Sequence, residues 1–423
     1  MERRSFIRSL VIVAAIGLVV RLVVIAFASR DLAFGDGLWY HSQAQIIADG
    51  HGYLSPGQYL FKGQHLATAE HPPLFPFLLA IVSWFGGTSV LAHQLTGAVL
   101  GVAGVVAVGY LGRAVAGVRV GLIAALIAAI SPTMWRYDAL VLSEGLLVLT
   151  AALFLLVVYR FWDQPRPIHG VLIGATLALA TYTRAEMVFL GLVIVVPVAV
   201  WNPRLAGAAA RVRVLSTAAV IAMLFLAPWV VRNLTTFERP VVFSNNQDSV
   251  IAGANCAQMY SGPGIGSWVP GCNTAHLTQH GDQSVVFEVV RRRGLTYMRD
   301  HLSRLPVVMV ARVGREWEVF RPFQDIASDG RTDLLWTVST PTFWVLAIAG
   351  GIGAVQLRRA KRLVWPLAVM APFVTVLAAG TYGLVRLRMP LDIALVVLAA
   401  APVEWLIARR YPSRDLGALR TDG

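Results

Sequence analysis

Charge is scarce in this chain: only 14% of its 423 residues are Asp, Glu, Lys or Arg, where a soluble domain carries about 25%. That deficit, with 57% hydrophobic residues and a mean hydropathy of +0.64, excludes a purely soluble, disordered or fibrous protein. Lysine is nearly missing, since Lys62 and Lys361 are the only two, and the arginine bias points to a GC-rich genome. Cysteine occurs twice, as Cys256 and Cys272. There is no internal repeat, heptad or low-complexity tract. What is abundant is apolar sequence in runs long enough to cross a bilayer repeatedly, which makes the chain an all-α polytopic membrane protein.

Ten spans are expected, at 9–28, 89–112, 119–133, 139–159, 168–183, 186–202, 214–231, 334–356, 363–381 and 391–408. The net charge of +13 invites a nucleic-acid reading, yet the arginines lie mostly where topology puts them. Arg3, Arg4, Arg8, Arg113, Arg119, Arg160, Arg166, Arg204, Arg211, Arg213, Arg358, Arg359, Lys361, Arg362, Arg409, Arg410, Arg414 and Arg420 fall in short segments and tails on one side. The positive-inside rule makes that side cytoplasmic, with both termini there, as an even span count requires. No nucleic-acid partner is expected. The run Phe75 to Phe85 is too short to cross and reads as a re-entrant or interfacial helix. The first span resembles a secretory signal after its arginines, but Arg21 inside it and the lack of a small-residue cleavage site favour an uncleaved anchor.

This topology leaves two long outer loops, 29–88 and 232–333, and three regions: a membrane module 1–231, the large loop 232–333, and the closing helices with a short tail, 334–423. Cys256 and Cys272 both lie in the second loop, on the oxidising side, separated by Gly- and Pro-rich sequence, so a disulfide is expected over two free thiols. Arg291, Arg292, Arg293, Arg299, Arg304, Arg312, Arg315 and Arg321 follow among apolar residues. That stretch reads as amphipathic helices broken at Pro306, attracted to lipid headgroups or holding an acceptor.

Ionisable residues at or near membrane depth are functional candidates. Asp36 stands between Gly35 and Gly37 just after the first span, followed by Tyr40 and His41. A carboxylate there suits a general base, although a Gly-flanked aspartate is also an ordinary turn residue. Glu70 and His71 precede the stiff pair Pro72 and Pro73. With His41, His51 and His65 in the same loop, Glu70 is a candidate metal ligand for a divalent ion, though no His-Glu-x-x-His spacing is present. Further polar residues recur at the outer ends of spans: Arg136, Tyr137 and Asp138 with Glu144; Arg184 with Glu186; Arg232; and Tyr382, Arg386 and Arg388 before Pro390. Guanidinium groups beside a lipid-facing cavity suit a phosphate, and singly they also suit snorkelling to headgroups.

In order along the chain, these motifs resemble the GT-C superfamily of glycosyltransferases: the Gly-Asp turn with Tyr-His, the Glu-x-Pro-Pro-Leu-Phe-Pro element, a Ser-Pro turn with Ser143-Glu144 downstream, the Thr-Arg-x-Glu hinge and the late Arg-x-Arg-x-Pro. The chain looks most like the branch of protein O-mannosyltransferases, lipid A aminoarabinose transferases and their bacterial relatives. The resemblance implies a polyprenyl-phosphate sugar donor, a glycan, lipid or protein acceptor on the outer face of a bacterial inner membrane, and inversion at the anomeric carbon. Asp36 then takes the place of the general base, and Arg386 and Arg388, with Arg184, those of the donor-phosphate ligands. Tyr40 and His41 join the donor site, and Asp138, Glu144, Glu186 and Arg232 supporting or acceptor positions. Two departures stand out. Gly37 replaces a second acidic residue found in many members, and His71 stands where the aminoarabinose transferases have a phosphate-contacting lysine.

A transporter or flippase of lipid-linked glycans is the alternative. It calls for repeat symmetry or polar groups near the midplane, whereas here the polar residues gather at outer ends and no matching halves are evident.

Overall fold

In the computed structural model the described residues are 2–32, 35–272, 281–324 and 333–410; Phe34 and the expected tail arginines Arg414 and Arg420 lie outside them. Regular structure among them is helical, apart from an isolated bridge between Leu54 and Ala67. The helices are α1 (Glu2–Phe27), α2 (Asp36–Ala48), α3 (Pro56–Lys62), α4 (Leu74–Trp84), α5 (Val90–Ala116), α6 (Val118–Ile130), α7 (Pro132–Trp135), α8 (Glu144–Asp163), α9 (Pro167–Thr183), α10 (Val196–Trp201), α11 (Gly207–Thr236), α12 (Asn246–Ala254), α13 (Ala257–Tyr260), α14 (Gln283–Asp300), α15 (Leu305–Glu316), α16 (Asp333–Arg359), α17 (Trp365–Ala368), α18 (Met370–Gly380) and α19 (Met389–Arg410).

The chain is a multi-pass membrane protein. Six helical stretches among the described residues are long and apolar enough to cross a bilayer unaided: Arg4–Phe27, Val90–Ala116, Glu144–Asp163, Gly207–Thr236, Thr337–Arg359 and Val385–Arg410. Several of the expected spans differ from simple rods. The one at 119–133 breaks before Pro132, which disfavours helical backbone at Ser131, and α6 meets the next segment at 69°. The span at 139–159 begins as helix only at Glu144, after a left-handed Val141. The stretch 186–202 is a 3-10 turn (Ala185–Phe189), a π turn (Gly191–Val195) and then α10, and 363–381 is split into α17 and α18. The run expected to stay at the interface forms α4, whose 11 residues reach only about 16 Å at 1.5 Å each.

At the centre lies α19, buried at every position from Met389 to Pro402. A helix that is apolar all round belongs inside a bundle, and here α5, α6, α8 and α16 surround it. By contrast α1 and α11 turn Val11, Val19, Val23, Met223 and Leu224 outward, as lipid-facing helices do. One residue of α1 does the reverse: Arg21 is buried, its Nε donating to Asp138 Oδ2 at 2.7 Å. Gly101 and Gly145 make room for that pair, since a Cβ on either would collide with the Asp138 carboxylate.

The second outer loop folds as α12 to α15 over the ends of the membrane helices. Asp282 caps α14 by accepting from the Ser284 and Val285 amides. Cys256 and Cys272 form a disulfide. Arg312 and Arg315, which the sequence offered as part of a lipid-facing basic stretch, instead turn inward. Arg312 Nη2 donates to the Ala254 carbonyl and Asn255 Oδ1, Arg312 Nη1 to the Ala379 carbonyl, and Arg315 Nε to the Ile265 carbonyl. The loop therefore grips the segment between α18 and α19, where the Gly383 amide also donates to the Gly266 carbonyl.

Candidate active site

Asp36 opens α2, where a carboxylate is favoured by the helix dipole. Gly37 lets the helix lie flat against the turn before α8: a Cβ at that position would strike the Leu140 carbonyl. That contact leaves no room for the second acidic residue seen in many GT-C sequences. The Asp36 carboxylate meets Arg386 Nη2 at 2.5 Å through Oδ2, while Oδ1 lies 3.6 Å from His71 Nε2. Arg386 stands in the single 3-10 turn Val385–Arg388 that leads into α19. Its Nη1 is 4.0 Å from Glu144 Oε1. That same Glu144 oxygen accepts from Arg184 Nη1 at 2.9 Å, and Arg184 Nε donates to Glu186 Oε1 at 3.0 Å. Five side chains drawn from four distant segments thus form one chain of charges: Asp36, Arg386, Glu144, Arg184 and Glu186.

Aromatic residues wall this cluster. The His71 ring packs against Trp39 and Tyr40, at 4.6 and 4.9 Å between centroids, and the Tyr40 hydroxyl reaches Ser143 Oγ at 3.4 Å. Tyr382 is buried on the other side, with its phenol bonded to the Arg386 side chain and its ring facing Trp268 of the disulfide loop.

Electrostatics follow from this packing. Burial pushes the Asp36 carboxyl up, but the Arg386 guanidinium above all, with Arg184 behind it, more than offsets this and holds the group well below the usual carboxylate range. Burial takes His71 down to about 4, so its imidazole is neutral at physiological pH even beside Asp36. Glu70 behaves oppositely: burial, then the Asp36 charge, push it up to about 7, against a hydrogen bond from Trp39 Nε1 at 3.1 Å. The site therefore holds one carboxylate kept ionised by an arginine and a second poised near neutrality.

Residues 70–231 match the family described as dolichyl-phosphate-mannose-protein mannosyltransferase. Along nearly its whole length the fold is that of solved GT-C membrane enzymes. The apo oligosaccharyltransferase of Archaeoglobus fulgidus superposes with a TM-score of 0.58 at 13% identity, over 97% of this chain and 51% of that one. The chain has the GT-C fold. The same archaeal enzyme in complex with an inhibitory peptide and a dolichol-phosphate gives 0.56 at 14% identity, over 98% of this chain and 53% of that one. ArnT from Cupriavidus metallidurans bound to undecaprenyl phosphate gives 0.44 at 14% identity, over 94% and 78%. The chain spans about half the length of the oligosaccharyltransferase it resembles. No curated protein matches it in sequence.

Within this GT-C fold the other sequence candidates are scattered. Arg388, expected beside Arg386, is 0% exposed and points away from Asp36: Nε donates to Asp392, Nη1 to the Glu316 carbonyl and Nη2 to Glu318, with the guanidinium over the Phe343 ring. Every donor edge is used, and the group belongs to a separate buried ion cluster. Asp138 is held by Arg21. Arg232 stacks among Trp229, Phe237 and Tyr53 and donates to the Thr68 and Tyr53 carbonyls, so it ties the first outer loop to α11. His41 turns from the cluster toward His93, with 2.9 Å between their Nδ1 atoms.

The four histidines of the first loop do not converge. His51 and His65 stack around Tyr59, away from His71 with Asp36 and from His41 with His93. Among the described residues no three His, Cys, Asp or Glu side chains are placed to share a metal ion, and Glu70, the candidate ligand, is engaged by Trp39. Sequence reasoning passed over the Arg388 partners Glu318 and Asp392. Asp392 carried a usable signal, lying four residues beyond Arg388 at the start of a helix.

Proposed function

We propose that this protein is an integral-membrane inverting glycosyltransferase that moves a sugar from a polyprenyl-phosphate donor to an acceptor hydroxyl. The observation that carries the reading is the contact of Asp36 with Arg386 in a half-buried cluster walled by Tyr40, His71 and Tyr382. A single displacement needs a base for the acceptor and positive charge for the leaving group. Asp36 accepts the acceptor hydroxyl proton as that oxygen bonds to the anomeric carbon. The bond from that carbon to the phosphate oxygen breaks, and polyprenyl phosphate leaves with the electron pair toward Arg386. Arg184 supports from behind, since both of its contacts go to carboxylates.

The site is assigned to the extracytoplasmic face of a bacterial inner membrane, with both termini in the cytoplasm. The arginine distribution supports that orientation. So does the disulfide, which belongs in an oxidising compartment and whose loop is bonded at Gly266 to Gly383, three residues before Arg386.

The test is transfer of radiolabelled sugar from a panel of polyprenyl-phosphate donors to native membrane acceptors, comparing wild type with Asp36→Asn. Transfer from one donor that the folded variant does not catalyse supports both the reaction and the base. Transfer by the variant at the wild-type rate removes Asp36 from that role, and no transfer from any donor brings the flippase alternative forward.

A further inference from the structure

Arg386 is the arginine of the cluster that meets Asp36, and it keeps a buried donor without an acceptor among the described residues. Arg184 spends its Nη1 on Glu144 and its Nε on Glu186, and Arg388 is consumed by Glu318, Asp392 and a carbonyl. In Arg386 Nη2 is engaged by Asp36 and the side chain also meets the Tyr382 phenol; Nη1 stands off Glu144 at 4.0 Å, and the buried Nε has no acceptor among the described residues. A guanidinium binds a phosphate most strongly through two adjacent nitrogens. Both pairs available, Nε with Nη2 and Nη1 with Nη2, include the atom that holds Asp36.

We propose that the donor phosphate and Asp36 compete for the Arg386 guanidinium, so that donor binding releases the carboxylate to serve as base. This rests on the polyprenyl-phosphate reading given above. Without donor, Asp36 is an ion-paired carboxylate with little appetite for a proton. When the phosphate takes Nη2, burial, the largest single influence on Asp36, acts to raise its proton affinity against only the weaker pull of Arg184. His71, 3.6 Å away and neutral, does not replace the lost cation. The phosphate adds a negative charge that acts in the same upward direction. The base is thereby armed by the substrate it serves, and an acceptor hydroxyl arriving first meets a carboxylate that is already occupied.

The test is equilibrium binding of undecaprenyl phosphate, carrying no sugar, to the full-length protein in detergent. Competition predicts that Asp36→Asn binds it more tightly than wild type, by about tenfold, within the usual range for two coupled sites. In an Arg386→Met or Arg386→Gln background the same Asp36→Asn change makes no difference. Unchanged affinity on Asp36→Asn overturns the proposal. Equal tightening in the Arg386 backgrounds also overturns it, because that is plain repulsion between carboxylate and phosphate. A second readout needs no Arg386 variant: in infrared difference spectra, the carboxylate band identified by its loss in Asp36→Asn shifts when undecaprenyl phosphate is added to wild type. A band that stays in place counts against the exchange. If undecaprenyl phosphate binds neither wild type nor Asp36→Asn, the donor reading itself fails, and the inference falls with it.

Discussion

Asp36 Oδ2 and Arg386 Nη2 stand 2.5 Å apart, joining the start of α2 to the turn that leads into α19. The geometry of that contact, and not merely its charge, is expected to matter. Lysine at position 386 keeps the cation but loses the planar fork. Arg386→Lys is expected to fold normally and to lower the rate at saturating donor on the order of a hundredfold, the usual cost of one lost transition-state donor. Single-turnover transfer of labelled sugar checks this.

Two residues away, Arg388 is expected to behave differently. Its removal leaves the buried carboxylates Glu318 and Asp392 without the cation that pairs with both. Arg388→Met should cost roughly 3–5 kcal/mol of stability, as loss of one partner of a buried pair does. It should show as a lower melting temperature and poorer membrane yield, while transfer per folded molecule stays near wild type.

Glu70 supplies a pH signature. Its folded value of about 7 lies above the ordinary 4.5, so the folded protein holds a proton that the unfolded chain gives up between those two values. Stability tied to this group is complete below about pH 4.5 and is lost as pH rises to about 7. Glu70→Gln, which keeps the acceptor for Trp39, should match wild type in acid and melt progressively higher than wild type up to neutrality. The gap should then stay constant. Melting scans in detergent across that window, with a parallel shift in both proteins counting against it, decide the matter.

Gly37→Ala adds a single methyl against the Leu140 carbonyl. Relieving the collision means lifting α2 from the turn before α8, at a cost of about 1–3 kcal/mol for an overpacked site, and it moves Asp36 with it. Both a lower melting temperature and a slower transfer rate are expected. Wild-type behaviour in both would show that the turn yields freely.

Much of this arrangement was legible in the sequence, and the limits have physical causes. The apolar runs located the membrane helices because length in lipid is a one-dimensional property. Asp36 stood out because an acidic residue between glycines directly follows a span. The pair Arg386 and Arg388 could not be resolved in that way. In a 3-10 turn, with about three residues per turn, positions two apart diverge, so one arginine faces Asp36 and the other the buried cluster of Glu318 and Asp392. Pattern alone does not say which. The inward turn of Arg312 and Arg315 was hidden for a similar reason: an amphipathic helix advertises two faces, and its carbonyl partners come from loops with no pattern of their own.

The burial of Arg21 against Asp138 has a consequence for how the protein is made. The ribosome delivers α1 long before Asp138, so the first helix enters the bilayer carrying a cation whose counter-ion has not yet been synthesised. On insertion scales an arginine at the centre of a span costs about 2.5–3.5 kcal/mol, a debt that the surrounding Leu, Val and Ile residues of α1 cover during translation. Only when the segment between α6 and α8 emerges is the guanidinium neutralised, and the glycines at 101 and 145 are what let that late partner reach it.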